Sequence, residues 1–128
     1  MNLYHPGVRE YHVQLAREMI EAGFPEIQWD YVRFPDASES LLSRAVYPQM
    51  EGRAKTQAVR EFLRSSREAL GADGIRVTAD VFGVTTSYSK DVGIGQLWES
   101  FIDQVDVALP MVYPSHYWTG SFGFSDPN

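Results

Sequence analysis

Cysteine is absent from the 128 residues, which excludes disulfides, thiolate zinc sites and cysteine nucleophiles. No apolar run approaches the roughly 20 residues that cross a bilayer, so no transmembrane segment is expected in this chain. Cationic residues are the minority, 11 Lys and Arg against 17 Asp and Glu, for a formal net charge of −6. Without a Lys/Arg cluster the chain lacks the neutralising charge that supplies most affinity for nucleic acid or anionic membrane. Sugars and other neutral small molecules fit this balance. The opening MNLYHPGVRE has neither the basic start nor the apolar middle of a signal peptide, and in a fragment that carries no meaning for compartment. Internal repeats and low-complexity tracts are missing too.

What is present is an ordinary globular mixture, 44% hydrophobic and 22% charged. Three short, β-rich apolar segments each follow a helical pattern. A helix starts near Pro6, with Val8, Tyr11, Leu15 and Met19 at three- and four-residue spacings and Gly23 as its stop. A strand over 26–34 comes next, closed by Pro35. A second helix is expected over 54–70, with Ala58, Phe62, Leu63, Ala69 and Leu70 available to pack inward, followed by a strand over 75–82. A third helix over 94–105 carries Leu97, Trp98 and Phe101 on one stripe and leads to a strand over 107–113. Alternating helices and strands are the signature of parallel βα units. The expected fold is therefore α/β, about three parallel strands with alternating helices.

Loop lengths divide the two ends of the strands. The turns entering the strands are short, at 23–25, 71–74 and near Asp106, while the connections leaving them run over 35–53, 83–93 and 114–128. Long ordered loops tend to be functional, and α/β folds bind ligands at the carboxyl ends of their strands. Three parallel strands alone leave two unpaired edges, and a complete barrel takes eight strands and about 250 residues. One incomplete barrel domain over 1–128 is expected, needing further strands; the 128 residues alone are expected to be inactive, which measured turnover would refute.

Side chains alternate faces along a strand, so Gln28, Asp30 and Val32 are expected on one side. Asp30 stands near the end of the first strand, where a lone carboxylate must be paired or useful. An ion pair with Arg33 is the plainer account of it. Asp80 sits near the end of the second strand, on the face of Thr78 and Phe82. Two carboxylates on neighbouring strand tips can stand from a few to about ten Å apart, a window that covers the separations used by retaining and inverting glycosidases, about 5–9.5 Å. The same pair also suits a divalent cation. In the third strand, Pro110 removes a ladder donor and points to a distorted strand end. Beyond it Tyr113, His116, Tyr117 and Trp118 would line the mouth, aromatic faces stacking on sugars; packing against a further helix would equally occupy Tyr117 and Trp118. Asp91, Asp103 and Asp106 are structural by position, Asp91 as a helix cap. His5 and His12 have no assigned role.

The segments Gly23-Phe24-Pro25-Glu26-Ile27-Gln28-Trp29-Asp30-Tyr31-Val32-Arg33-Phe34-Pro35, Thr78-Ala79-Asp80-Val81-Phe82-Gly83 and Pro110-Met111-Val112-Tyr113-Pro114-Ser115-His116-Tyr117 closely resemble a bacterial glycoside hydrolase family. Long catalogued as a domain of unknown function, it belongs to the TIM-barrel glycosidase group. Gly93-Ile94-Gly95-Gln96 and Gly120-Ser121-Phe122-Gly123-Phe124 resemble it as well. The resemblance implies a partial (β/α)8 TIM barrel, a central fragment of the family domain, and an extracellular or cell-envelope location. It marks Asp30, Arg33, Asp80, Tyr113 and His116 as site residues. Met111-Val112-Tyr113 is similar to the strand end beneath the sugar in chitinase-like barrels, but the acid-rich DxxDxDxE strand of chitinases is missing. The expected activity is hydrolysis of polysaccharide O-glycosidic bonds by Asp30, as nucleophile or base beside Arg33, and Asp80, as general acid or its partner. No cofactor is expected. A non-catalytic carbohydrate-binding barrel of the cell envelope and a metal-dependent hydrolase using Asp30, Asp80 and His116 remain as alternatives.

Overall fold

The computed structural model describes residues 1–126; Pro127 and Asn128, the end of the 114–128 tail, lie outside the described residues. Helix α1 (Pro6–Glu21) is followed by strand β1 (Glu26–Trp29), a one-turn helix α2 (Glu39–Leu42), helix α3 (Lys55–Leu70), strand β2 (Arg76–Phe82), a one-turn helix α4 (Trp98–Phe101) and strand β3 (Val107–Met111). The strands form one open sheet in the order β1-β2-β3, and both pairings are parallel. This is α/β architecture with alternating helices, as in part of a (β/α) barrel.

Helix α1 begins where expected. Pro6 occupies its first turn, where a missing N–H costs nothing, and His5 caps it by accepting the Gly7 amide on Nδ1 at 3.1 Å. The face turned to the sheet is not the one its longest apolar residues occupy. Ala16 is buried, with the half-buried Val13 and Ile20 beside it, against Ile27, Leu70 and Val77, while Tyr11, Leu15 and Met19 are exposed. Helical spacing alone does not say which of two apolar stripes turns inward.

Helix α3 is the main contribution to the core. Ala58, Val59, Phe62, Leu63, Ser66 and Leu70 are buried at the spacing of one helical face. They meet Ala79 and Val81 of β2 and Trp29 of β1. Ser66 accepts the Trp29 indole N–H on Oγ at 2.6 Å, and the Phe62 ring meets Trp29 edge-on at 4.9 Å. Two features of the 35–53 connection have no counterpart in the expectation. Tyr47 joins Tyr4 and Phe34 in an aromatic trio with centroids 5.0–5.7 Å apart, so both the N-terminal segment and the loop are packed down. Glu61 also bridges Arg9 and Arg53 at 3.0 and 2.6 Å. Burial, with Tyr47 beside it, raises the Tyr4 phenol against the pull of Arg53.

Three elements are shorter than their patterns, β3 among them, ending at Met111 rather than at 113. Strand β1 stops at Trp29 rather than at residue 34, because Tyr31 adopts a left-handed backbone, φ +54, costing about 1–2 kcal/mol for a non-glycine residue. That turn breaks the alternation. Val32 joins the core with Phe34 instead of sharing the side of Gln28 and Asp30. In the third helical region only Trp98–Phe101 is α-helical, followed by a 3-10 turn over Ile102–Gln104. Gly93 and Gly95 have φ +96 and +86, and the Asp91 carboxylate accepts the Ile94 and Gly95 amides at 3.1 and 2.9 Å. Asp91 therefore caps a turn rather than the helix. Pro110 does not distort β3: it pairs in register with Val81. Among the described residues β3 is an edge strand, where proline is tolerated.

Below the strands, Arg60 clasps Asp103 with two bonds of 2.6 and 2.8 Å. The Arg60 hydrogen bonds, aided by Gln104, lower the Asp103 carboxyl from 3.8 to about 2. A depressed carboxyl stabilises the fold above its unfolded pKa and loses that contribution as pH falls through the folded value. Unfolding midpoints from about pH 4 down to about pH 2 should therefore fall more steeply in the wild type than in Asp103→Asn. Parallel profiles would contradict this assignment.

Candidate active site

Parallel strands bring their carboxyl ends to one rim, and the register fixes which residues meet there. Trp29 pairs with Ala79, Asp80 with Leu109 and Phe82 with Met111. Asp30 follows Trp29, the last paired residue of β1, as Asp80 follows Ala79 in β2. Alternation puts Asp80 on the face opposite the helices, along with Gln28, Phe82, Leu109 and Met111. On that face Val107 and Leu109 are exposed.

The two carboxylates have different partners. Asp80 is half-buried, and both its oxygens accept from Gln28 Nε2 at 2.9 Å. Asp30 is exposed, and its Oδ1 accepts the Tyr31 amide at 2.6 Å. This bond and that from the Arg33 amide to the Tyr31 carbonyl, 2.8 Å, hold the left-handed turn. Strained residues of this kind cluster at functional sites.

The expected Asp30–Arg33 ion pair is not formed among the described residues. Because the chain turns at Tyr31, Arg33 extends across the rim instead. Its guanidinium lies 4.5 Å from the Phe82 ring centroid and 5.4 Å from that of Tyr31, and Nη1 donates to the Phe34 carbonyl at 3.1 Å. The His116 imidazole stacks on Phe82 at 6.0 Å and 24°, and Tyr113 meets His116 edge-on at 5.0 Å. Asp30, Tyr31, Arg33, Phe82, Met111 and His116 line a cleft of about 150 Å3. A neighbouring hollow of about 330 Å3 shares Tyr31 and Arg33 with it and reaches Met1, Pro35 and Asp36.

Of the residues singled out in the sequence, Asp30, Arg33 and His116 meet in this cleft. Asp80 adjoins it through the strand register, and Tyr113 through His116. Tyr117 and Trp118 do not stand together. Tyr117 packs edge-on to Phe122 at 5.7 Å, with its hydroxyl where a Cβ on Gly83 would clash with it, so the absence of a side chain at Gly83 lets the 111–117 segment close on β2. Trp118 is exposed against Tyr88 at 5.9 Å. Gln28, Tyr31 and Phe82 were not singled out for the site. For Gln28 and Phe82 the signal was there, since both alternate onto the face of Asp80.

Among the described residues no three His, Asp or Glu side chains come together as metal ligands, so Asp30, Asp80 and His116 do not form the donor set of the metal-dependent alternative. A larger hollow of about 440 Å3 lies at the opposite strand ends, between Arg67 and Arg76. Both cations are paired there, Arg67 with Asp106 at 3.2 Å and Arg76 with Glu26 at 3.3 Å, and Asp106 also accepts the Val77 amide. That hollow is a clasp between elements. No helix among the described residues is long and apolar enough to cross a membrane.

Among known families, the profile of the family described as "Putative glycosyl hydrolase domain" matches residues 1–128. No match was found among curated proteins or among solved structures.

Proposed function

The chain belongs to this glycosyl hydrolase family, and on that premise we propose that it supplies the catalytic wall of a glycosidase acting on O-glycosidic bonds of a polysaccharide. The observation that supports this reading is the register of β1 and β2: Trp29 pairs with Ala79, and Asp30 and Asp80 are the residues that follow them, so alternation carried one residue past the ladder would set both carboxyls on one face at the strands' carboxyl ends. Adjacent strands are about 4.8 Å apart, so two carboxyls at this level can flank a single bond in either glycosidase geometry, about 5–9.5 Å. Asp30, exposed and bordering the cleft, serves as nucleophile or base; Asp80 serves as general acid or its partner. His116 and Tyr113 orient the sugar. Arg33, drawn over Phe82, contributes hydrogen-bond donors to its hydroxyls. Trp118 and Tyr117 offer aromatic faces farther out. The two hollows that share Tyr31 and Arg33 suit consecutive sugar units. A single incomplete domain over 1–128, completed by further strands covering Val107 and Leu109, fits the exposed apolar residues of the open face.

A second reading, a non-catalytic carbohydrate-binding barrel of a cell-envelope protein, draws support from one contact. Gln28 engages both oxygens of Asp80, as it would a fixed structural acceptor. A panel of polysaccharides and oligosaccharides tested on the intact protein separates the two. Turnover that disappears in Asp30→Asn and in Asp80→Asn supports the glycosidase. Binding without turnover in the wild type supports the binding barrel and sinks the enzyme.

A further inference from the structure

We propose that Gln96 is a positioning residue for the strand-tip carboxylates, an inference that rests on the reading above for its chemistry but not for its geometry. The β1–β2 ladder ends at Trp29 and Ala79, below the level of both aspartates. Beyond it, the turn at Tyr31 takes the β1 side out of hydrogen-bonding register, while β2 keeps its ladder to β3 as far as Phe82; the chain after β1 has no ladder to hold it to β2. Gln96 fills that gap. Its Oε1 accepts the Phe82 amide at 2.9 Å, and its Nε2 donates to the Asp80 carbonyl at 3.3 Å and the Val32 carbonyl at 3.4 Å. One side-chain amide thereby ties the backbone of Asp80 itself to that of Val32, two residues after Asp30.

Gln96 is only 2% exposed, and a buried amide of this kind is retained when every polar atom has a partner. The segment that delivers it is fixed on three sides. Asp91 caps the turn before it, the Phe34 amide donates to the Ile94 carbonyl at 2.7 Å, and Lys55 donates to the Gly93 carbonyl at 2.6 Å. A Cβ on Gly95 would meet the Lys55 carbonyl at 2.9 Å, so this residue must be glycine for the segment to sit so close to α3. Gln96 does not itself line the cleft; it bonds the backbone of Phe82, which does. Its effect on the carboxylates runs through the backbone.

The test uses the intact protein, wild type against Gln96→Leu and Gln96→Glu, with aspartate 13C-labelled at the side-chain carboxyl. Leucine removes both amide atoms; glutamate keeps the size and the acceptor for Phe82 but not the donor to the two carbonyls. On whichever glycan the wild type turns over, each folded variant should lower kcat by about 10- to 100-fold, the effect of a misplacement on the order of 1 Å, with KM within about twofold. The Asp30 and Asp80 carboxyl resonances should shift or broaden, while those of Asp103 and Asp106 at the other strand ends stay in place. A folded variant with wild-type kcat, or with unmoved Asp30 and Asp80 resonances, overturns the proposal. If the wild type turns over nothing, the glycosidase reading fails alone, and the resonances still decide whether Gln96 positions the two carboxyls. Should Gln96→Leu not fold, the same kinetics and resonances in Gln96→Glu decide the matter.

Discussion

Replacing Asp30 by Asn, or Asp80 by Asn, should each lower turnover of a glycan substrate by about 10²–10⁴-fold, the usual contribution of a positioned acid or base. Binding of that substrate should change little, because the amide keeps the shape and most of the hydrogen bonding of the carboxylate. The two positions should not behave alike in other respects. Asp80 is held through both oxygens by Gln28, so Gln28→Ala should mimic part of the Asp80→Asn loss by releasing that carboxylate. Among the described residues, Asp30 accepts the amide of its neighbour, Tyr31. The double variant should lose much less than the product of the single losses, since residues acting as a unit are strongly non-additive. Steady-state kinetics with isothermal titration of the same glycan supplies the check. Full activity in either single variant would remove that aspartate from the mechanism.

The second large effect is on stability. Phe62→Ala should destabilise the protein by about 3–5 kcal/mol, the cost of emptying a buried phenylalanine site. Phe62 is completely buried and meets Trp29 edge-on at 4.9 Å and the His12 ring at 6.4 Å, so it joins α1, β1 and α3. Those neighbours are ring systems held on separate elements, which limits how far the site can collapse around a cavity. With total stabilities of about 5–15 kcal/mol, the loss should be plain in urea denaturation as a lower midpoint at unchanged slope. A loss below about 1 kcal/mol would mean that the packing of α3 on the sheet is looser than these contacts require.

The helix–strand alternation, the α3 core face and the strand that ends at Phe82 were legible in the sequence because each rests on a local period that packing reinforces. Ala58, Phe62, Leu63 and Leu70 repeat at helical spacing, and Val77, Ala79 and Val81 alternate. The misreadings of β1 and of the third helix share one kind of cause, a local backbone conformation that overrides the period, unlike those of the α1 face and Pro110. Tyr31 looks like a strand residue by propensity, yet its left-handed backbone ends β1 and sends Val32 into the core. Gly93 and Gly95 sit before a helical pattern, yet their positive φ angles delay the helix until Trp98. The expectation for Arg33 failed for the same reason as that for β1. Once the chain turns at Tyr31, the guanidinium is carried over Phe82. The burial of Gln96 was out of reach of pattern reading, since at helical spacing it lies off the stripe of Leu97, Trp98 and Phe101 and reads as exposed. Its three bonds span residues far apart in sequence.

The most direct test of the account is a crystal structure of intact Asp80→Asn with an oligosaccharide bound. The side chains at positions 30 and 80 should lie about 5–9.5 Å apart on either side of one glycosidic oxygen, with His116 against the same sugar. A sugar seated elsewhere, or the two side chains directed to opposite faces of the sheet, would contradict the account.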